Sequence, residues 1–318
     1  MKSNVPAKSL LIALLLAFSA QLGIAQIDAP TAPTSQTTSV SVGEGPEAVA
    51  FDGTNIWVAN QFSNTLNKIR VSDGAILGTY SVGKRPVALI YDGANIWVAN
   101  LLSDTVTKLR ASDGVTMGSY AAGDGPGGLA FDNTNIWVAN RNSNNVTKLR
   151  ASDGFKLGTF PVGTRPLALA FDGANIWVTN NNSNTVTELQ ASDGSVLGTY
   201  AVGNGPFGVA YDGASIWVGN FFSKTVVKLA VNGATVSRVA VGDGPAGMTY
   251  AGGYLWVANN GSNTVSKVDP SAGAVVSTFG VNRGPFGVAF DGRNVWVANM
   301  AAGTVSKIKP ANNLLTVP

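Results

Sequence analysis

Apolar residues in this chain fall in short runs, and the runs return at a fixed spacing. Between Val82 and Ala121, a turn signal, Val82-Gly83-Lys84-Arg85-Pro86, opens onto Val87-Ala88-Leu89-Ile90-Tyr91. Asp92-Gly93, a dipeptide that tolerates the positive φ of a tight hairpin, separates this run from Ile96-Trp97-Val98-Ala99. A polar loop from Asn100 to Asp104 leads to a third run, Thr105 to Arg110, which mixes β-branched and long basic residues. Ser112-Asp113-Gly114 turns the chain again before a fourth, Val115 to Ala121. No 3.6-residue period appears. The pattern predicts four short antiparallel strands in a meander.

The segment from Asp92 to Asn100 recurs with small edits, ending at Asn60, Asn140, Asn180, Asn220, Asn259 and Asn299. Each copy carries one of the seven tryptophans, Trp57, Trp97, Trp137, Trp177, Trp217, Trp256 and Trp296, spaced 40 residues apart with a single interval of 39. Such a period marks a stacked array or a propeller. One four-stranded sheet cannot bury its aromatic face alone, whereas seven arranged around an axis can. The expected fold is all-β, a seven-bladed β-propeller of four-stranded antiparallel blades. A linear β-solenoid fits less well, because its coils are usually shorter than this unit.

The ends of the chain refine that expectation. Thr38 to Val42 resembles a fourth strand, Thr79 to Val82, and runs into the same turn, Gly43-Glu44-Gly45-Pro46, while the last unit, from Val281, has its first three strands by Lys309. The N-terminal strand is therefore expected to close the ring, removing exposed sheet edges. Leu314-Leu315-Thr316-Val317 is the rival for that position. Ahead of it, Lys2 and Lys8, the apolar stretch Leu10 to Phe18 and the small-residue site Gly23-Ile24-Ala25 read as a secretory signal peptide (1–25) cleaved after Ala25. That apolar stretch is too short to span a membrane. Residues 26–37 read as a flexible leader and 38–318 as the propeller, in a secreted or periplasmic protein. The formal charge is +3 and the pI about 9.1. Cleavage would remove Lys2 and Lys8 and no acid, bringing the mature chain closer to neutrality. With no cysteine, stability has to come from packing and ring closure.

Trp177-Val178-Thr179-Asn180, together with Asn184-Thr185-Val186 and Val202-Gly203-Asn204-Gly205-Pro206-Phe207-Gly208, resembles the YVTN family of propeller repeats, related to NHL and streptogramin-lyase propellers. The other copies read Trp-Val-Ala-Asn or, at Trp217, Trp-Val-Gly-Asn. The resemblance covers nearly the whole expected mature chain. It implies the fold and leaves function open, since such propellers include binding modules, enzymes and surface proteins.

Comparing the units with one another separates two faces. The Asp-Gly-x-Asn and Ser-Asp-Gly loops share one face and barely change. Asp52, Asp92, Asp132, Asp172, Asp212 and Asp291 read there as turn formers, with Ala251 the exception. A calcium role for Asp-x-x-Asn would need six to eight converging oxygens. The opposite face varies. Its crossover position reads Glu44, Lys84, Asp124, Thr164, Asn204, Asp243 and Arg283, and the position after the proline reads Glu47, Val87, Gly127, Leu167, Phe207, Ala246 and Phe286. In turns that should be wet stand Phe62, Leu101, Leu102, Phe221, Phe222 and Met300, and Arg85, Arg141, Arg165 and Arg283 offer guanidinium groups for carboxylates or sugar acids. Loops on a rigid scaffold are the usual place for recognition. The alternative is drift in turns that structure leaves unconstrained.

The missing chemistry narrows the choice. There is no histidine and no cysteine, hence no imidazole base or metal ligand and no thiolate. The histidine that streptogramin lyases use has no counterpart here. A metal-assisted lyase or lactonase would have to draw on Glu44, Glu47, Asp124, Asn204 and Asp243, which belong to separate blades. Lys68, Lys108, Lys148, Lys228, Lys267 and Lys307 recur in the third strand, with Glu188 breaking the set. They are expected on the outer rim as solubility devices rather than phosphate contacts. The expectation is a monomeric ring that binds a protein or glycan, with no cofactor, metal, nucleic acid or membrane span.

Overall fold

A computed structural model describes residues 36–310. The segments read as a signal peptide and most of the expected leader, and the rival strand at 314–317, lie outside the described residues. Seven four-stranded antiparallel sheets succeed one another, six of them in simple sequence order. Blades 1 to 6 occupy residues 46–81, 86–121, 126–161, 166–201, 206–240 and 245–280. The seventh combines Pro285–Phe290, Val295–Asn299 and Thr304–Lys309 with Gln36–Ser41 as its outermost strand. That strand runs antiparallel to Thr304–Lys309, with Gln36 opposite Lys309 and Ser41 opposite Thr304. The ring is closed by the N-terminal strand. No helix among the described residues is long and apolar enough to cross a membrane.

The second strand of each blade explains why its sequence is an unbroken apolar run. Side chains alternate across a strand, and here both faces are covered, so Ile-Trp-Val-Ala has no solvent side. Ile96 and Val98 pack with Trp57, Ala59 and Leu66 of the preceding blade, whereas Trp97 and Ala99 pack with Ile136 and Val138 of the following one. The joint between last and first blades repeats this, with Trp296, Ala298 and Val305 against Ile56, Val58 and Ile69. The core is thus seven inter-blade layers, each centred on a tryptophan.

The repeated Asp is more than a turn former. In Asp92, Oδ1 accepts the backbone N–H groups of Ala94 and Asn95, and Oδ2 accepts Trp97 Nε1 at 2.7 Å. The same Asp–Trp bond, 2.7–2.8 Å, occurs at Trp57, Trp137, Trp177, Trp217 and Trp296. Where Ala251 replaces the acid, Trp256 Nε1 falls back on the Ala251 carbonyl at 3.3 Å. Both carboxylate oxygens are engaged within the blade, which leaves the loop no converging set for calcium.

The third-strand lysines do not decorate the rim as expected. Lys68, Lys108 and Lys148 are buried. Their ammonium groups lie 4.8–5.2 Å from the tryptophan rings of their own blades and donate to carbonyls of the next, as in Lys68 Nζ to Ala111 O at 2.7 Å. Lys307 closes the circle by donating to Val71 O at 2.7 Å. These lysines clasp neighbouring blades, combining cation–π attraction with a charge-assisted hydrogen bond. A strand lysine looks exposed in sequence because solvent is assumed on one face, and a propeller has none there. Glu188 breaks the set by turning to its own blade, accepting from Tyr200 Oη and Asn175 Nδ2.

Candidate functional site

The variable face rests on a frame that changes little from blade to blade. The hydroxyl oxygens of Ser63, Ser103, Ser143, Ser183, Ser223 and Ser262 accept the backbone N–H groups of Glu44, Lys84, Asp124, Thr164, Asn204 and Asp243 at 2.6–2.9 Å. Side-chain oxygens of Asn64, Asp104, Asn144, Asn184 and Asn263 accept the following backbone N–H of the crossover turn. Six crossovers are thereby tied by a serine to the second-to-third loop of the blade they enter, and five by Asn or Asp to that of the blade they leave, so their variable side chains are displayed from fixed positions. In sequence these serines form a column inside a changing loop, broken only in the last unit by Ala302.

The residue before the turn proline shows where this display is forced. Its backbone is left-handed, and Gly45, Gly125, Gly205, Gly244 and Gly284 occupy it with φ of 63–70°. In blades 2 and 4 the same position holds Arg85 and Arg165, at φ 56° and 55°. A side chain there costs on the order of 1 kcal/mol, which glycine avoids. Backbone strain of this kind collects at functional sites.

Arg85 and Arg165 line one depression of about 370 Å³ together with Arg141, Leu101, Leu102, Asp104, Asp124 and Asn142. Arg141 enters from the second-to-third loop of blade 3 and folds over Gly127, where a Cβ would stand 2.1 Å from its Nε. Its neighbours supply little. The Nη2–Gly127 O distance is 3.4 Å, Glu47 Oε1 is 3.8 Å from Nη2, and Nε has no partner although it is buried. Burial lowers the Arg141 pKa, Glu47 opposes that shift, and Arg165 and Arg85 reinforce it. Arg85 Nε donates to Gln61 Oε1 at 3.0 Å.

Below the depression runs the central channel, about 180 Å³, lined by the innermost strands with Glu47, Val87, Leu167, Phe207 and Phe286 among its residues. Glu47 is 7% exposed. Burial pushes its carboxyl up to about 7, against the pull of Arg141 and Arg85. Across the channel the character changes. Phe207 stacks edge-on to Phe286 at 5.2 Å and lies 6.1 Å from Phe221, which meets Phe222 edge-on at 5.3 Å.

Of the residues singled out in sequence, Arg85, Arg141, Arg165 and Leu101 come together at the depression. Phe221 and Phe222 join the aromatic half. Phe62 and Phe222 are 60% and 64% exposed, as turns that should be wet would have them. Met300 is half-buried, and Arg283 is exposed in the crossover turn of blade 7, apart from the arginines of the depression. The pairing of Glu47 with Arg141 was not foreseen, because it joins blades 1 and 3 across the ring. Among the described residues no three acidic, histidine or cysteine side chains gather into a metal-binding group.

No protein-family model matches this chain, and no curated protein matches it by sequence. Solved structures do match in shape. Virginiamycin B lyase from Staphylococcus aureus superposes with a TM-score of 0.75 at 18% identity, covering 86% of this chain and 99% of that one. A streptogramin B lyase gives 0.76 at 18% identity, covering 86% and 97%. Kuenenia stuttgartiensis hydrazine synthase gives 0.76 at 19%, covering 86% and 97%. At these identities the similarity speaks for the seven-bladed fold alone.

Proposed function

We propose that this chain is an exported, secreted or periplasmic ring that recognises a protein or glycan partner non-covalently through its variable face. The observation that carries this reading is the convergence of Arg85, Arg141 and Arg165 over a depression walled by Leu101 and Leu102, two of the three at a backbone position where five blades use glycine. The serine frame shared by six blades and the exposed Phe62 and Phe222 support the same reading, since rigid turns with apolar tips suit a partner better than they suit solvent. The repeat is taken as YVTN-type on Trp177-Val178-Thr179-Asn180. Its threonine has a structural use, Thr179 Oγ1 donating to Phe207 O of the next blade at 2.8 Å.

The test is capture from an envelope fraction by the immobilised ring. Replacing Arg85, Arg165 and Arg283 together by Glu leaves the buried Arg141 in place and is expected to cut capture at least tenfold; unchanged capture rejects the reading.

A second reading, a metal-assisted lyase or lactonase at the channel mouth, has two supports. One is the shared shape with virginiamycin B lyase, and the other is Glu47, a carboxyl near neutrality and so suited to accept a proton. Against it, a single histidine-to-alanine substitution makes the S. aureus lyase catalytically inactive, and this chain contains no histidine. Finding an ordered divalent ion on Glu47 after a Mg²⁺ or Mn²⁺ soak would favour this second reading.

A further inference from the structure

The guanidinium of Arg141 is the least satisfied polar group at the site. It has five N–H donors, one long bond to Gly127 O at 3.4 Å, an acid at 3.8 Å and a buried Nε with no partner. Leaving such donors unpaired in a largely buried position costs free energy unless something arrives to accept them. Arg85 and Arg165 flank it from the two neighbouring blades at left-handed backbone positions. We infer that this depression binds the side-chain carboxylate of an acidic peptide segment with apolar neighbours, and that the incoming carboxylate displaces Glu47 as the partner of Arg141. The inference rests on the variable-face reading above and names its ligand chemistry.

Three features select that ligand. First, the rim sets three guanidiniums against two carboxylates, Asp104 and Asp124. That balance suits a single negative charge and disfavours a dense polyanion. Second, Leu101 and Leu102 line the same depression, offering apolar surface beside the charge. Third, a glycan needs free hydrogen-bonding groups, but Asn142 Nδ2 is already donated to Asp124 Oδ1 at 2.9 Å, and Asp104 Oδ1 accepts the Gly125 N–H. The aromatic rings are already packed on one another, Phe207 edge-on to Phe286 and Phe221 edge-on to Phe222, and do not line the depression.

Glu47 makes the exchange depend on pH. The charged groups facing it are Arg141 and Arg85; its channel neighbours Val87, Leu167, Phe207 and Phe286 do not titrate. When Glu47 is ionised it competes for Arg141, and when protonated it releases the guanidinium to the ligand. Binding then takes up a proton onto Glu47 above neutrality, so affinity falls as pH rises through about 7.

Isothermal titration of the full chain with acetyl-Leu-Glu-Leu-amide and its Leu-Gln-Leu counterpart tests this. The Glu peptide should bind at least tenfold tighter than the Gln peptide, and about tenfold tighter at pH 6 than at pH 8. Glu47→Gln should bring affinity at pH 8 to its pH 6 value, and Arg165→Gln, at an exposed position, should weaken binding about tenfold at both pH values. Equal affinity for the two peptides overturns the inference, as does tighter binding of trigalacturonate, or a pH dependence that persists in Glu47→Gln. If partner capture is still lost on charge reversal while the peptides fail to discriminate, only the carboxylate assignment falls.

Discussion

The two halves of the channel mouth stand on the same backbone and are built from opposite materials. In blades 1 to 4 the post-proline and loop columns supply Glu47 and Arg141, and the pre-proline position supplies Arg85 and Arg165, with a buried acid beside an unsatisfied guanidinium. In blades 5 to 7 the post-proline and loop columns supply Phe207, Phe221 and Phe286, with Phe207 edge-on to Phe286 and tilted against Phe221. One half is complete in itself. The other holds charge that a ligand could use better than the protein does. The lesson is that a repeat fold separates its scaffold from its display, so chemistry can change around the ring without disturbing the layers that hold it together.

The sharpest way to break this comparison is to remove one member from each half. Arg141→Ala strands Glu47 in the channel, and breaking a buried pair typically costs about 3 kcal/mol or more. Phe207→Ala should cost about 2 kcal/mol, below the range for a fully buried ring because Phe207 is half-buried. Urea unfolding at pH 5 and pH 8 separates the mechanisms. The Arg141→Ala loss should shrink at pH 5, where Glu47 is protonated, and the Phe207→Ala loss should not change. The wild type carries the same signature. Glu47 holds its proton up to about 7 in the fold and only to about 4.5 when unfolded, so stability falls as pH rises between those values, by on the order of 1–3 kcal/mol. Glu47→Gln should flatten that slope. The acid at Asp153, brought down to about 2 by its hydrogen bond with Arg150, acts in a lower window and with the opposite sign.

A smaller effect addresses the backbone. Arg165→Gly relieves a left-handed residue and should stabilise the ring by about 0.5–1 kcal/mol, with thermal unfolding as the readout. The converse change in the aromatic half, Gly205→Arg, should destabilise it by more, because a Cβ there would stand 2.4 Å from the Phe222 ring and force it to move. No gain for Arg165→Gly would mean that the arginine is at ease there and that its position records no constraint.

How much of this was legible follows from what repeats. Blade number, strand order and closure by the N-terminal strand were readable because seven copies of one pattern leave few ways to bury seven tryptophans. The Asp turns were readable as turns, but their bond to tryptophan was not, since it depends on the twist that brings Asp92 Oδ2 onto Trp97 Nε1. The lysines misled, because alternation in a strand says nothing about a neighbouring blade covering the second face. At the site, the arginines were visible as members of variable columns, but their grouping was not. Arg283 belongs to the same set in sequence and stands apart in space, while Glu47 meets Arg141 only because the ring is narrow enough for blades 1 and 3 to touch across it. The strain at Arg85 and Arg165 was within reach, since five other units place glycine at that position.

Hydrogen–deuterium exchange on the ring in complex with its captured partner tests most directly whether the variable face is the recognition surface. The account predicts slowed exchange in the turns at residues 84–86, 101–104, 141–144 and 163–165, with the Asp-Gly turns at 92–95 and 112–115 unchanged. Protection confined to the Asp-Gly face would contradict it.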